Sequence, residues 1–373
     1  MTGSPPGAAD GPGFQSLLVV RLSAMGDIIH TLPAVAALRE AFPHATLGWL
    51  IDERWAELLC TLRYPRAGPR SAERPLVDRV HTVNMGQFRR SPVSFHTWQQ
   101  IAVGLSELHG GEYDAAIDFQ GAVRSALLAR WSGAPVLYGD AQPRENAASM
   151  FYSRQVESRG RHVVEQALAL ARAAMQAPAN SRRALMADES VPAGIEADFP
   201  LDPDAEKKIS GLVGDAKFAL LNPGAGWGAK QWPVERYGAV AKELAQDGIR
   251  SIVNYGPGEE ELAGAVETAS ANAAHKIPCS IADLISLTRR ASLFIGGDTG
   301  PMHLAAALRI PVVAIFGPTN PARNGPFGTR SIVLRSASSR TDHSRYAEPE
   351  QGLLEISPEE VIAAARKLLG ASQ

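Results

Sequence analysis

Cysteine is scarce in this sequence, which has 373 residues and only two cysteines, Cys60 and Cys279, far apart in the chain. That number excludes a disulfide framework and favours a reducing compartment. No apolar run approaches the length of a transmembrane helix. The formal net charge is only −2, which argues against a nucleic-acid binder driven by bulk charge. The sequence therefore predicts a globular cytoplasmic protein.

The first residues lack the features of a targeting signal. Residues 1–14 are rich in Gly, Pro and Ala, with neither a basic start nor an apolar stretch. We therefore expect no signal peptide, and we expect a disordered tail over residues 1–16.

Apolar residues, in contrast, make up 45% of the chain, and its length suggests two domains. Short apolar strands alternate with helical stretches, a pattern typical of a parallel sheet covered by helices. The alternation is interrupted between Ala177 and Pro203. We predict an α/β protein with two Rossmann-like doubly wound domains, residues 17–185 and 200–355. A last helix in residues 356–373 could pack back on the first domain.

Residues 293–307 have the pattern of a buried strand, a tight turn and a helix. Leu293 to Ile295 are apolar, two glycines follow, and Asp298 and Thr299 are typical N-cap residues before Pro301. Free N–H groups at a helix start beyond a parallel strand can bind a phosphate. The residues alone leave open the alternative, a plain connection between a strand and a helix.

A second glycine-rich stretch, Asn222 to Pro233, also follows a predicted strand and precedes a helix. Three of its glycines stand on alternate positions, and Lys230 adds a positive charge. The stretch is similar to a phosphate cradle, although it lacks the Gly-Lys-Ser/Thr ending of nucleotide hydrolases. The alternative is a glycine-rich turn with a solvated lysine.

Single polar residues add further candidates. Asp27, predicted in a loop after the first strand, could act as a general base or simply cap the next helix. His30 and His303 could bind a ligand or serve the structure. The acid-x-acid pattern at Asp202 and Asp204 lies in the predicted linker, where Asp204 suits an N-cap, so we predict no metal site.

Four stretches together resemble the bacterial lipopolysaccharide heptosyltransferases of the heptosyltransferase I type. Their sequences are Ser-Ala-Met-Gly-Asp-Ile-Ile-His-Thr-Leu-Pro (residues 23–33), Asp-Phe-Gln-Gly (118–121, with Arg124 and Ser125), Lys-Gln-Trp-Pro (230–233) and Asp-Thr-Gly-Pro-Met-His-Leu (298–304). The similarity extends over residues 17–334 in the expected order. The amino-terminal tail and residues 61–75 depart from it.

The resemblance implies a glycosyltransferase-B fold, with two Rossmann-like domains facing each other across a cleft. It implies an inverting transfer of L-glycero-D-manno-heptose from ADP-heptose to a Kdo residue of Kdo-lipid A, without a metal or another cofactor. It also implies a monomer that associates peripherally with the inner face of the cytoplasmic membrane and binds no nucleic acid.

The resemblance assigns roles to individual residues as well. Asp27 would deprotonate the acceptor hydroxyl, and one of Glu259, Glu260 and Glu261 would contact the ribose, Glu260 being our choice. The donor-binding residues would be Lys230, Glu260, Asp298, Thr299, Gly300 and His303. The acceptor-binding residues would be Arg89, Arg90, Gln120 and Arg144, although each of these arginines could also belong to a solvated face.

Two other functions stay open. The first is a related ADP-sugar glycosyltransferase with a different acceptor, such as an inner-core, O-chain or protein acceptor. The second is a non-catalytic module that binds a nucleotide sugar, which would tolerate the loss of Asp27. A nicotinamide dehydrogenase is excluded, because residues 23–27 do not supply the G-x-G-x-x-G pattern after the first strand.

Overall fold

The computed structural model describes residues 13–86, 103–176, 185–186, 198–342, 344 and 346–370, and the structural statements below refer to these residues. The chain divides into two compact units, Met1–Ser23 with His30–Phe199, and Ala24–Ile29 with Pro200–Gln373. The sequence places the short segment Ala24–Ile29 in the first domain, whereas the structure groups it with the second unit.

The first unit is built on a parallel sheet of seven strands in the order β3-β2-β1-β4-β5-β6-β7. Central β1 pairs on its two sides with β2 and β4, so that Val19 lies opposite Trp49 and Ile117. The strands are β1 (Ser16–Val20), β2 (Thr46–Asp52), β3 (Arg79–Val83), β4 (Ala115–Asp118), β5 (Val136–Asp140), β6 (Arg154–Glu157) and β7 (Leu185–Met186). The helices are α1 (Met25–Ala41), α2 (Val123–Trp131) and α3 (Val163–Gln176), with a further helical stretch at residues 103–109 and short 3₁₀ helices at Glu53–Leu58 and Asn146–Phe151.

The second unit has a parallel sheet of six strands in the order β10-β9-β8-β11-β12-β13. Its strands are β8 (Phe218–Asn222), β9 (Arg250–Tyr255), β10 (Ala274–Pro278), β11 (Leu293–Gly297), β12 (Val312–Phe316) and β13 (Ser331–Arg335). Its helices are α4 (Pro203–Val213), α5 (Val234–Gln246), α6 (Glu260–Ala269), α7 (Ile281–Arg290), α8 (Gly300–Ala307), α9 (Pro321–Asn324), α10 (Gln351–Glu355) and α11 (Pro358–Gly370). Two doubly wound parallel sheets with helices confirm the predicted fold class.

The second sheet is buried on both faces because its strands are apolar at successive positions. Leu221 and Ile295 point into one core, whereas Leu220 and Phe294, their neighbours along the strands, point into the other. Side chains alternate between the two faces of a strand, so a continuous apolar run can fill both. Burying one such side chain stabilises the fold by about 1.5–3 kcal/mol.

The last helix belongs to the second unit. Val361 and Ala365 of α11 are fully buried in the core formed by β11, β12 and α5. Arg366 on its outer face ion-pairs with Asp247 after α5, with 2.7 Å between Nε and Oδ2. Its apolar stripe fills the core of the second sheet, and the expectation that it also packs back on the first domain stays a prediction.

Three local expectations also differ from the structure. Residues 14–16 of the predicted tail are ordered, because the Phe14 ring packs edge-on against Phe42 at 5.5 Å and Ser16 begins β1. Helix α1 begins at Met25, so Asp27 lies in its first turn rather than in a loop. Strand β6 runs through a polar, arginine-rich stretch in which the sequence shows no apolar strand.

Candidate active site

Two of the predicted motifs meet at one edge of the second sheet. Strands β8 and β11 pair in parallel, so the segments that follow them leave the sheet side by side. The Nζ atom of Lys230 lies 2.6 Å from Oδ2 and 3.1 Å from the backbone oxygen of Asp298. The other carboxylate oxygen, Oδ1, is 3.2 Å from Nε2 of His303 in α8. One carboxylate is thus shared by a lysine and a histidine.

This cluster is buried, since Asp298 and His303 are 7% and 6% exposed. Burial by itself raises the pKa of Asp298. The hydrogen bond from His303 and the positive charges of His303 and Lys230 outweigh that effect, and they hold the pKa of this carboxyl well below its usual range. Asp298 therefore stays ionised, and a fixed set of opposite charges stands at the mouth of the sheet.

The 3₁₀ turn and the ring of Trp227 also hold Lys230 in place. It ends a 3₁₀ turn, Gly228–Lys230, and its Nζ lies 4.4 Å from the centre of the Trp227 ring. A cation over an indole face is attracted by the ring quadrupole. The backbone N–H groups of Ala229 and Lys230 donate to Tyr346 and Trp227. The loop thus presents the ammonium group of Lys230, with those two N–H groups already engaged.

Helix α8 begins beside the cluster without a side-chain cap. Thr299 occupies the N-cap position but makes no capping hydrogen bond. Its hydroxyl donates instead to Oδ1 of Asn222 at 3.0 Å, at the end of β8. Gly300 opens the helix, so the positive end of its dipole is available to an anion. The two glycines before Asp298 continue β11 and do not form the predicted turn.

Two of the three candidate glutamates, Glu259 and Glu260, have different surroundings. The Glu260 carboxylate, which is largely exposed, ion-pairs with Nζ of Lys276 at 3.2 Å. The Glu259 carboxylate accepts the N–H of Gly256 at 3.0 Å, and a Cβ on Gly224 would collide with it. Glu259 therefore lies between the two glycine-rich loops that follow β8 and β9. From the sequence alone, our choice of the glutamate that contacts the ribose is Glu260.

Asp27 caps its own helix. Its Oδ2 accepts the backbone N–H of Ala24 at 3.2 Å. The segment Ala24–Ile29 belongs to the second unit, and within that unit it packs closely on α8. A Cβ on Gly26 would lie 2.5 Å from Cδ2 of His303, and one on Gly300 would lie 2.8 Å from Cβ of Met25. The two glycines allow the turn that carries Asp27 to approach the start of α8.

Gln120 lies in the first unit and supports the chain before this turn. Its Oε1 accepts the backbone N–H groups of Leu22 and Ser23 at 3.0 and 3.1 Å. Asp118 holds the turn that contains Gln120. Its carboxylate accepts hydrogen bonds from the N–H of Gln120 and from the hydroxyl groups of Ser125 and Tyr152. The resemblance places Gln120 among the residues that would bind the acceptor substrate. The sequence does not reveal this hydrogen-bond network, because Tyr152 is distant in sequence.

Comparison with known proteins decides the family. The model of glycosyltransferase family 9 (heptosyltransferase) matches residues 105–354. Lipopolysaccharide heptosyltransferase 1 of Pseudomonas aeruginosa is 31% identical over 327 residues, which cover 86% of this chain and 83% of that protein. This chain belongs to glycosyltransferase family 9. As a member of that family it is an enzyme, a glycosyltransferase.

Solved structures of heptosyltransferases show the same architecture as this family 9 protein. The structure of the E. coli heptosyltransferase WaaC with ADP has a TM-score of 0.73 and 25% identity, covering 95% of this chain and 99% of that one. The structure of the same enzyme with ADP-2-deoxy-2-fluoro heptose has a TM-score of 0.71 and 26% identity, covering 94% and 99%. The predicted glycosyltransferase-B fold is confirmed.

The other residues predicted to bind a ligand in this family 9 protein are three arginines and His30. Arg144 is exposed, and its backbone N lies 3.0 Å from where a Cβ on Gly121 would stand. Arg89 and Arg90 lie outside the described residues. His30 is buried, with its ring edge-on to His162 at a centroid distance of 5.4 Å. These observations leave the acceptor-binding roles of the three arginines as predictions.

The acid-x-acid pattern in the linker serves as a helix cap. Oδ1 of Asp202 accepts the N–H groups of Asp204 and Ala205, both at 3.0 Å. Asp202 is therefore the N-cap of α4, two residues earlier than Asp204, which the sequence suggested. In the part of the chain that the structure describes, no three His, Cys, Asp or Glu side chains gather as metal ligands. Within the same residues, every helix is too short or too polar to cross a bilayer.

Proposed function

We propose that this protein transfers L-glycero-D-manno-heptose from ADP-heptose to a Kdo residue of Kdo-lipid A, inverting the anomeric centre. The observation that carries the proposal is the cluster of Lys230, Asp298 and His303 at the uncapped start of α8. The relative named heptosyltransferase 1 and the heptosyltransferase solved with ADP support the donor and the reaction.

The leaving group explains why this cluster suits the reaction. When the bond between the sugar and the diphosphate breaks, negative charge collects on the diphosphate. Lys230 and the N-terminus of α8 can stabilise that charge from fixed positions. Asp298 holds Lys230 in place before the donor arrives, and the diphosphate would then compete with Asp298 for its ammonium group. We place Thr299, Gly300 and His303 around the diphosphate and Asp298 near the heptose.

The acceptor hydroxyl must lose its proton as it attacks the anomeric carbon. We propose that Asp27 accepts that proton, because its turn packs beside His303 and Gly300. Its hydrogen bond from the Ala24 N–H orients the carboxylate and engages one of its two oxygens, so helix capping and base catalysis are compatible. Gln120 would act here through the backbone of Leu22 and Ser23.

For the ribose we now propose Glu259 in place of Glu260. The Glu259 carboxylate lies beside Gly224 and Gly256, where the two loops follow their strands. Ligands of doubly wound sheets bind beyond the carboxyl ends of the strands. Glu260 is engaged by Lys276 on the outer side of α6.

Acceptor recognition, location and assembly complete the proposal. We propose that Arg89, Arg90 and Arg144 bind the phosphates and carboxylates of the acceptor. We also propose that the enzyme works as a monomer at the inner face of the cytoplasmic membrane. Replacing Arg89 and Arg90 together by Ala is expected to raise the acceptor KM and to leave ADP binding unchanged. An unchanged acceptor KM would assign both arginines to a solvated face.

The decisive experiment is turnover of ADP-heptose with a panel of acceptors, read by mass spectrometry. The panel contains lipid A without Kdo, Kdo-lipid A, and Kdo-lipid A that already carries one heptose. We expect the mass of one heptose to be added to Kdo-lipid A alone. Addition only to the heptosylated acceptor would favour a heptosyltransferase II-like enzyme. ADP-heptose binding without transfer to any acceptor would indicate a non-catalytic binding module.

A further inference from the structure

We propose that residues 346–350 form a strap that positions Lys230, and that Gly228 is the residue that admits this strap. The inference rests on the proposed role of Lys230 in donor binding, and it makes Gly228 and Glu350 positioning residues for that lysine.

Two backbone hydrogen bonds hold the strap against the turn that carries Lys230. The N–H of Ala229 donates to the backbone oxygen of Tyr346 at 3.1 Å, and the N–H of Glu350 donates to the backbone oxygen of Ala229 at 3.2 Å. Both polar groups of Ala229 are thus bound by a segment more than a hundred residues further along the chain. Ala229 itself is buried. The residue just before Lys230 is therefore fixed on both sides.

Gly228 is the point of closest approach. A Cβ on Gly228 would overlap the backbone carbonyl of Ala347. A backbone oxygen cannot swing aside as the end of a flexible side chain can, so any larger residue must displace either the strap or the turn. The φ angle of Gly228 is not among the positive ones. The need for glycine at this position is therefore steric rather than conformational.

The far end of the strap is anchored in the core of the second unit. Oε2 of Glu350 accepts the N–H of Leu353 at 2.9 Å, which caps α10, and also the hydroxyl of Ser339 at 3.0 Å. Leu353 is fully buried among the strands and α11. A continuous chain of contacts thus leads from the core, through Glu350 and Ala229, to Lys230.

The consequence of this anchoring is preorganisation. Lysine has a long flexible side chain, and ordering it costs conformational entropy on binding. With its backbone clamped and its ammonium group over the Trp227 ring, Lys230 meets the diphosphate from one position. Loosening the strap would let the ammonium group move away from Asp298 and weaken ADP binding, while the sheet below stays folded.

Gly211 supplies a matched control for Gly228. It lies in α4, outside the glycine-rich loop, and a Cβ there would meet no atom within 4 Å apart from its own helix backbone. We expect Gly211→Ala to change the Kd for ADP by no more than about twofold, because it adds the same methyl group at an exposed position with no proposed role in donor binding. Gly228→Ala should weaken ADP binding by roughly ten- to a hundredfold, up to the loss of the Lys230 contact itself. Calorimetry measures both, and thermal melts check the fold.

A double-mutant cycle with Lys230→Ala separates positioning from general damage. If Gly228 acts through Lys230, adding Gly228→Ala to Lys230→Ala should weaken ADP binding little further. Equal weakening in both backgrounds would overturn the proposal, and so would a Gly228→Ala variant that binds ADP as Gly211→Ala does. Unchanged ADP affinity in Lys230→Ala alone would instead contradict the proposed donor site.

A second pair of variants decides the question if Gly228→Ala does not fold. The φ angle of Glu350 is −67°, which proline also adopts. Glu350→Ala removes the cap of α10 and keeps the backbone N–H, whereas Glu350→Pro removes both. We expect Glu350→Pro to bind ADP several-fold more weakly than Glu350→Ala, because only the former loses the hydrogen bond to Ala229. Equal affinities would overturn the strap.

Discussion

An aspartate stands at the same place in both sheets, and the two have opposite surroundings. Strand β4 lies beside β1 as β11 lies beside β8, and each is followed by a turn and a helix. Asp118 ends β4, and Asp298 directly follows β11. Asp118 is bound by neutral donors from Gln120, Gly121, Ser125 and Tyr152, whereas Asp298 is bound by Lys230 and His303.

The difference in partners gives the two carboxyl groups opposite pKa shifts. Burial raises the pKa of Asp118, and its hydrogen bonds only partly offset that effect. Burial acts on Asp298 in the same direction, but the cationic partners reverse the outcome and lower its pKa. The same topological position thus anchors backbone turns in one unit, whereas in the other it carries an ionised carboxylate paired with Lys230 and His303. The proposed base, Asp27, lies in the second unit, and Gln120 of the first unit holds the backbone of Leu22 and Ser23, which precedes the turn of Asp27.

The largest effect that would test this division is the loss of the base. Asn at position 27 keeps the size and the hydrogen bond from Ala24 but cannot accept a proton at neutral pH. Removing a general base typically costs about 10²–10⁴ in rate, so we predict a kcat lowered at least about a hundredfold in Asp27→Asn. ADP affinity and melting temperature should stay nearly unchanged. Steady-state ADP release and a thermal melt measure these quantities.

Asp202→Asn is the matched control, because Asp202 is also an aspartate that caps a helix. Its kcat should equal that of the wild type. Near-normal turnover in Asp27→Asn as well would reduce Asp27 to a cap and leave the proposed mechanism without a base.

The next largest effect concerns the cations of the second unit. A charge-assisted hydrogen bond is worth about 1.5–3 kcal/mol, and Lys230→Ala should therefore weaken ADP binding roughly ten- to a hundredfold. Arg366→Ala, which removes an ion pair on the outer face of α11, should leave ADP affinity unchanged. If calorimetry finds the same Kd in both variants, Asp298 is a second structural anchor and the comparison fails.

A smaller effect sharpens the comparison directly, through the pH dependence of stability. The ionised Asp298 stabilises the folded state above the pKa of the unfolded group, and this stability is lost as pH falls towards the lowered folded pKa. The melting-temperature gap between the wild type and Asp298→Asn should therefore widen as pH rises from about 3 to 5. For Asp118 the raised folded pKa gives the opposite sign, because stability is full below the unfolded pKa and is lost as pH rises.

The wild type should accordingly lose stability relative to Asp118→Asn as pH rises above about 4. A loss of stability that an Asn substitution causes at every pH shifts the plot of the melting-temperature difference against pH without changing its slope. Calorimetric melts between pH 3 and 5.5 measure the slopes below the range in which histidines titrate. Slopes of the same sign would show that the two aspartates do not differ in electrostatic environment.

The sequence predicts the second sheet well because its strands are apolar and several of its helices carry clear caps. The sequence marks strand β12 by an apolar run and the start of helix α7 by the Ser280–Asp283 capping box. Strand β6 is missed because it has a single fully buried residue, Val156, among polar neighbours. The two glycines of β11 suggest a turn, although Gly296 allows close packing beside Phe294 and Asn222, and Gly297 lies near the backbone oxygen of Lys230.

The candidate site divides along the same line. Lys230, Asp298 and His303 are found because each stands in a local motif with glycines and a helix start. The roles of Gln120 and Glu259 depend on which backbone N–H group each side chain reaches, and the sequence does not encode that locally. Contacts such as Tyr152 with Asp118 join residues that only the folded sheet brings together.

The smallest expected effect is that of a chelator. It tests whether protein cations or a metal ion neutralise the charge of Asp298. If Lys230 and His303 are the partners of Asp298, the developing charge on the diphosphate is met by protein cations and the helix dipole. ADP-heptose turnover should then be the same in excess EDTA as without it. A metal-dependent transferase would lose activity in EDTA and regain it with Mg²⁺ or Mn²⁺. Such a result would show that Asp298 binds a metal ion, and that this ion rather than Lys230 balances the charge of the diphosphate.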